Sequence, residues 1–203
     1  MNKQMAGILT AALLLASCTG GDGNANPTAS TATTTASATA TTTASPSPST
    51  TSAEDQAAQQ AEAVYRDYLR AKTTCLSNPR QSPPTCFDAV AIGTERNTSL
   101  QSLRAAQEVD SKVSGDVTII SIKTTKVDLT NKVKETPPTV PKVVFAVCMD
   151  VSKFNIVDKD GKSIVPPSRK PHVPVTVTVY NYQLPDPTQW RVGLVDEVKG
   201  GSC

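Results

Sequence analysis

Side chains able to do acid–base or nucleophilic chemistry are few and scattered along this 203-residue chain. Proton transfer beside a carbonyl needs a base and a donor for the developing oxyanion. Tyr65, Tyr68, Asp88 and Asp150 are the candidates for those roles. Tyr68 falls on the apolar stripe of a predicted helix, a core position. Tyr65 and Asp88 read equally well as surface residues or caps. Asp150 alternates with Cys148 and Ser152, opposite the apolar face of its strand, where it hydrogen-bonds within a sheet or meets water. A Ser-His-Asp triad would have to use His172, the sole histidine, in a loop flanked by Pro171 and Pro174 that holds an imidazole poorly. "DKDGK" lacks the third alternating acid and the distant glutamate of a calcium loop, and reads as a hairpin turn with Asp160-Gly161 at its corner. No phosphate-cradling glycine loop and no Cys-x-x-Cys is present. The sequence therefore names no catalytic residue, metal or cofactor.

The formal charge of +2 is spread thinly, without a basic block, which argues against nucleic acid as a partner. The opening carries Lys3 and then an apolar run from Ala6 to Leu15, too short to span a bilayer and suited to a signal peptide over 1–17. Leu15-Ala16-Ser17-Cys18 resembles the bacterial lipobox, which implies that Cys18 is the lipid attachment site and that the protein is held at the outer face of the cell membrane. Two or more acyl chains anchor stably where one is marginal.

From Pro27 to Ala53 every residue is Ala, Ser, Thr or Pro. Such a segment has too little apolar surface to offset the cost of ordering its backbone, so 18–53 reads as a lipidated cysteine and a tether. Its flexible part has a root-mean-square span of roughly 30 to 35 Å. Long Thr/Ala tethers of this kind are similar to those of actinobacterial lipoproteins.

The remaining residues, 54–203, make one domain. In "AEDQAAQQAEAVYRDYLRAKTTCL" the residues Ala57, Ala61, Val64, Tyr68, Ala71 and Cys75 share one face of a helix about 35 Å long. Pro79, Pro83 and Pro84 end it. "FDAVAIGTERNTSLQSLRAAQEV" reads as one or two shorter helices, divided at Gly93 and at Asn97-Thr98-Ser99. From Asp116 onward the period becomes two. "DVTIISIKTTKVDL", "PKVVFAVCMDVSKFNIVD", "HVPVTVTVYNYQL" and "TQWRVGLVDEV" read as strands. Val143, Phe145, Val147 and Met149 share a face, as do Val173, Val175, Val177 and Val179. A phase slip between Ile119 and Ile120 implies a bulge or burial on both sides. The fold class is α+β: a long N-terminal helix and one or two short helices on a four-stranded antiparallel sheet.

Once Cys18 is set aside, Cys75, Cys86, Cys148 and Cys203 remain, an even number that allows three pairings in an exported domain. Cys75 with Cys86 closes the short proline loop. Cys203 is then left to Cys148 and clips the terminal "EVKGGSC" to a central strand.

The runs "VYRDYLRA", "VCMDVSKFNIVDKDGKSI" and "QWRVGLVDEVKGGSC" together resemble exported domains of actinobacterial lipoproteins in the nuclear transport factor 2-like superfamily, which is ketosteroid isomerase-like and cystatin-like in its α+β build. Cys148, Asp150, Ser152, Gly161, Trp190, Val192 and Cys203 carry the likeness across 54–203. The "CLSNPRQSPPTC" loop and the proline-rich "KETPPTVPK" depart from that pattern. The resemblance implies a curved sheet around helices and a cone-shaped cavity, with Tyr68, Val143, Phe145, Val147, Met149 and Trp190 as its candidate lining. The functional expectation is a non-catalytic envelope module that takes a small apolar ligand, or docks an envelope protein, with a homodimer through the sheet as a further possibility. The alternatives are an isomerase- or hydratase-like enzyme using Asp88 or Tyr65, or a passive structural lipoprotein.

Overall fold

The computed structural model describes residues 51–203. The leader, Cys18 and nearly all of the tether lie outside the described residues. Helix α1 spans Ala53–Ser77. Ser52 caps it, its hydroxyl accepting the Asp55 amide at 3.0 Å, and Glu54 and Asp55 place negative charge at the positive end of the helix dipole. Its buried positions are Ala57, Ala61, Tyr65, Tyr68, Cys75 and Leu76. Tyr65 is thus an interior residue and not a surface one. It lies four residues after Ala61 and three before Tyr68, so its ring takes the middle of the stripe and Val64 is left half-buried beside it.

After the proline loop, held by the Cys75–Cys86 disulfide at a Cα separation of 6.4 Å, helix α2 runs from Gly93 to Val109 without a break at Asn97-Thr98-Ser99. Those residues cost an exposed helix only tenths of a kcal/mol each, and the tertiary contacts of the same turn outweigh them. Glu95, Ser99, Leu100, Leu103 and Ala106 are all buried against the rest of the domain. The helix stops at Asp110 in the left-handed region, φ 53°, where the Ser111 amide returns to the Ala106 carbonyl at 3.0 Å.

Six strands follow: β1 Lys112–Ser114, β2 Thr118–Asp128, β3 Lys142–Asp150, β4 Asn155–Val157, β5 His172–Asn181 and β6 Trp190–Glu197. Four form an antiparallel sheet in the order β2-β3-β5-β6, and β1 pairs with β4 in a separate two-stranded sheet. The long run expected as one strand from Pro141 to Asp158 is therefore two. Asp150 accepts the Ser152 amide at 2.8 Å and closes a turn. The Arg169 guanidinium pins that turn by donating to the carbonyls of Val151 at 2.7 Å and Phe154 at 2.6 Å. Gly115, at φ +75°, follows β1 where the Lys153 carbonyl comes so close that a Cβ would collide with it. The register of β2 shifts between Ile119 and Ser121, so the phase slip is a bulge, and Ile120 faces solvent.

Across the large sheet, Val143 faces Val179, Phe145 faces Val177 and Val147 faces Val175. These cross-strand pairs pack with Tyr65, Tyr68, Phe87, Leu103, Trp190 and Val192 in one hydrophobic core. The outer edge of β6 is covered by residues 90–92, the Ile92 amide reaching the Val192 carbonyl at 2.9 Å. Beyond β6 the Val198 amide bonds the Pro174 carbonyl at 2.9 Å, and the Cys148–Cys203 disulfide, Cα atoms 5.7 Å apart, fastens the end of the chain to β3. Among the described residues no helix is long and apolar enough to cross a membrane.

Candidate functional site

Tyr68, Val143, Phe145, Val147 and Trp190 are all buried in the core, and the Trp190 indole N–H donates to Gln60 Oε1 at 3.0 Å. Met149 is half-buried and its sulfur accepts the Tyr65 hydroxyl at 3.2 Å. None of these six lines the four principal surface recesses of the domain. The acid–base candidates do not converge. Asp88 is exposed and bound to Arg96 Nε at 2.7 Å. Asp150 is half-buried at the end of β3, where hydrogen bonds from Ser152 hold its carboxyl below the ordinary range. His172 is exposed at the start of β5. The Asp158–Lys162 turn is satisfied internally, Asp158 Oδ1 accepting the amides of Asp160 at 3.0 Å and Lys162 at 2.9 Å.

The group that sequence reading missed is Glu95, only 5% exposed between the two helices. Tyr68 donates its hydroxyl to the Glu95 carboxylate, with Ser99 Oγ 3.3 Å from the same phenol oxygen. The Lys72 ammonium lies 5.4 Å from the centre of the Tyr68 ring. Burial pulls Lys72 below its ordinary value while the Glu95 charge opposes the shift. Burial, reinforced by Glu95, pushes both Tyr65 and Tyr68 well above the ordinary tyrosine value of 10.0. A helix signal existed: Glu95, Ser99, Leu103 and Ala106 follow one another at steps of four, four and three, so two polar residues sit on the apolar stripe of α2. The cluster ties α1 to α2, and the four recesses leave it beneath the surface apart from Lys72.

The raised phenols have a consequence in alkali. Because the folded protein holds those protons more tightly than the unfolded chain, their contribution to stability is complete below pH 10.0 and is lost as pH rises above it. Tyr65 and Tyr68 are expected to stay protonated until the domain unfolds. Ultraviolet titration checks this; ionisation of Tyr65 or Tyr68 while the domain is still folded would contradict it.

The most apolar of these four recesses is a groove of about 450 Å³ between the C-terminal halves of the helices and the small sheet, inside the range of roughly 300 to 1,000 Å³ usual for ligand sites. One wall is α2, where Ser102, Ala105, Ala106 and Val109 line up at helical spacing and the small side chains of the first three leave the trench. The opposite wall is Phe154, Ile156 and Ile164, and Lys72, Leu76 and Val113 complete the lining. Ile164 is placed by its amide bonding the Ile156 carbonyl at 2.9 Å. Val109 is 63% and Ile164 53% exposed, so two large apolar side chains face water across the same opening. A polar recess of about 270 Å³ adjoins it, sharing Ser111 and Lys112 and containing Arg80, Asp110, Asp158 and Lys159.

No protein-family model matches the chain, and no curated protein matches it. Among solved structures the chain is similar to the crystal structure of the intermembrane space region of chloroplast protein ARC6, with a TM-score of 0.46 and 11% identity over 70% of this chain and 95% of that one. A likeness of that size carries no argument about function.

Proposed function

We propose that the protein is a lipid-anchored binding module of the bacterial cell envelope, nuclear transport factor 2-like in build, fixed at the outer face of the membrane through Cys18. It takes up a small apolar ligand. The lipobox-like run before Cys18, the Thr/Ala tether and the two cysteine pairs support that location. The single observation that carries the binding role is the apolar groove between α1, α2 and the small sheet, open to water yet flanked by Val109 and Ile164. An isomerase- or hydratase-like activity has less support, because Asp88 is an exposed ion-pair partner and Tyr65 is locked inside the core. Of the residues expected to line a cone-shaped cavity, Tyr68, Val143, Phe145, Val147 and Trp190 are buried in the core and Met149 is packed against it, so the groove is the better candidate for ligand entry.

Ala105 is exposed and lines the groove, so Ala105→Trp fills the trench without entering the core. The full-length protein is expected to bind the apolar dye Nile red saturably, and the variant to bind about tenfold or more weakly with an unchanged Tm. Equal dye binding by both proteins would overturn the assignment.

A further inference from the structure

The apolar groove and the polar recess are not independent. Ser111 and Lys112 line both, so a ligand lying in the groove meets at its end the polar residues that border the recess. In the recess the Asp158 carboxylate is held by the amides of Asp160 and Lys162. Arg80 is engaged by Asp110 at 2.9 Å, and Lys159 by Asp160 at 2.9 Å. Lys112 is exposed and has no ion-pair partner among the described residues. The groove itself presents one more cation, Lys72, and no carboxylate among its lining residues.

We infer that the groove is a site for a single-chain amphiphile with an anionic head group, its chain against α2 and Ile164 and its head at Lys112. The inference rests on the groove being the ligand site. Charge complementarity selects the head: the groove's own lining carries Lys112 and Lys72 and no carboxylate, so an anion at Lys112 meets two opposite charges there and a cation two like ones, with the Asp158 carboxylate in the recess beyond acting against that preference. Volume selects the chain number. About 450 Å³ lies toward the lower end of the usual range and suits one acyl chain better than the two of a diacyl lipid. Ser111, buried at the junction, and the left-handed Asp110 before it hold Lys112 at the mouth of both spaces.

The test is displacement of Nile red from the full-length protein by dodecyl phosphate, by dodecyltrimethylammonium and by inorganic phosphate, all below micelle-forming concentrations. Dodecyl phosphate is expected to displace the dye at concentrations about fivefold or more below those of the cationic amphiphile. Inorganic phosphate is expected to displace none. In Lys112→Glu, whose own dye affinity is measured first so that displacement is compared at equal dye occupancy, that preference is expected to vanish or reverse. Equal displacement by both amphiphiles, or an unaltered preference in the variant, overturns the head-group assignment while leaving the groove as a site. Protection by inorganic phosphate alone, without a chain, overturns it in favour of a free-anion recess. No dye uptake by the wild-type protein removes both this inference and the binding role beneath it.

Discussion

Replacing Cys148 and Cys203 together by serine is expected to lower the unfolding free energy by about 4 kcal/mol, the chain-entropy value for a closed loop of 55 residues. Little else secures the end of the chain. After the Val198 amide bonds Pro174, the remaining residues are mostly exposed, and the next turn is closed only by Gly201 to the Val198 carbonyl at 3.0 Å. The terminal cysteine therefore acts as a staple, not as a reactive thiol. The corresponding Cys75/Cys86 double serine variant closes a loop of 11 residues and is expected to cost less, about 3 kcal/mol. Guanidinium unfolding of both variants against the oxidised parent measures the two losses. A larger loss for the short loop than for the long one would contradict this ordering.

Phe145→Ala is expected to destabilise the domain by about 3 to 5 kcal/mol, the usual cost of emptying a core aromatic site. Phe145 is 1% exposed in the middle of β3, opposite Val177 and among Tyr65, Tyr68 and Trp190, and the surrounding strands cannot collapse into the space it leaves. The same substitution separates two accounts of ligand binding. Where the variant remains folded, Nile red affinity is expected to stay within about twofold of the parent, because Phe145 does not border the groove. Loss of dye binding in a folded Phe145→Ala protein would move the ligand site from the groove into the sheet interior. Denaturant midpoints and dye titration on one sample give both numbers.

What sequence alone made legible was periodic and local. Val143, Phe145, Val147 and the valines of β5 repeat at two, and every one of them faces the core or its margin. The phase slip at Ile119 and Ile120 became a bulge because a one-residue shift is the only way to keep both flanking apolar sets inward. The cysteine pairs followed from the short loop between Cys75 and Cys86, which leaves Cys148 and Cys203 to each other. What stayed hidden depends on several segments at once. Glu95 reads as an ordinary charged helix residue until Tyr68 and Ser99 are seen around it. The division between β3 and β4 rests on Arg169, which reaches back across 15 and 18 residues to hold the turn. Propensity suggested a break at Asn97-Thr98-Ser99, and burial of Glu95, Ser99 and Leu100 overrode it. The groove is the extreme case, since its walls come from α1, α2, β1, β4 and the segment after the Asp158–Lys162 turn. No single window of the sequence shows an apolar cleft there.

Methyl-resolved NMR of the full-length protein titrated with Nile red tests the central claim most directly. Binding in the groove predicts that the methyl signals of Val109, Val113, Ile156 and Ile164 move while those of Val143, Val177 and Val179 stay in place. Movement of the core valines with Val109 and Ile164 unmoved would contradict it, and would place the ligand between the helices and the large sheet.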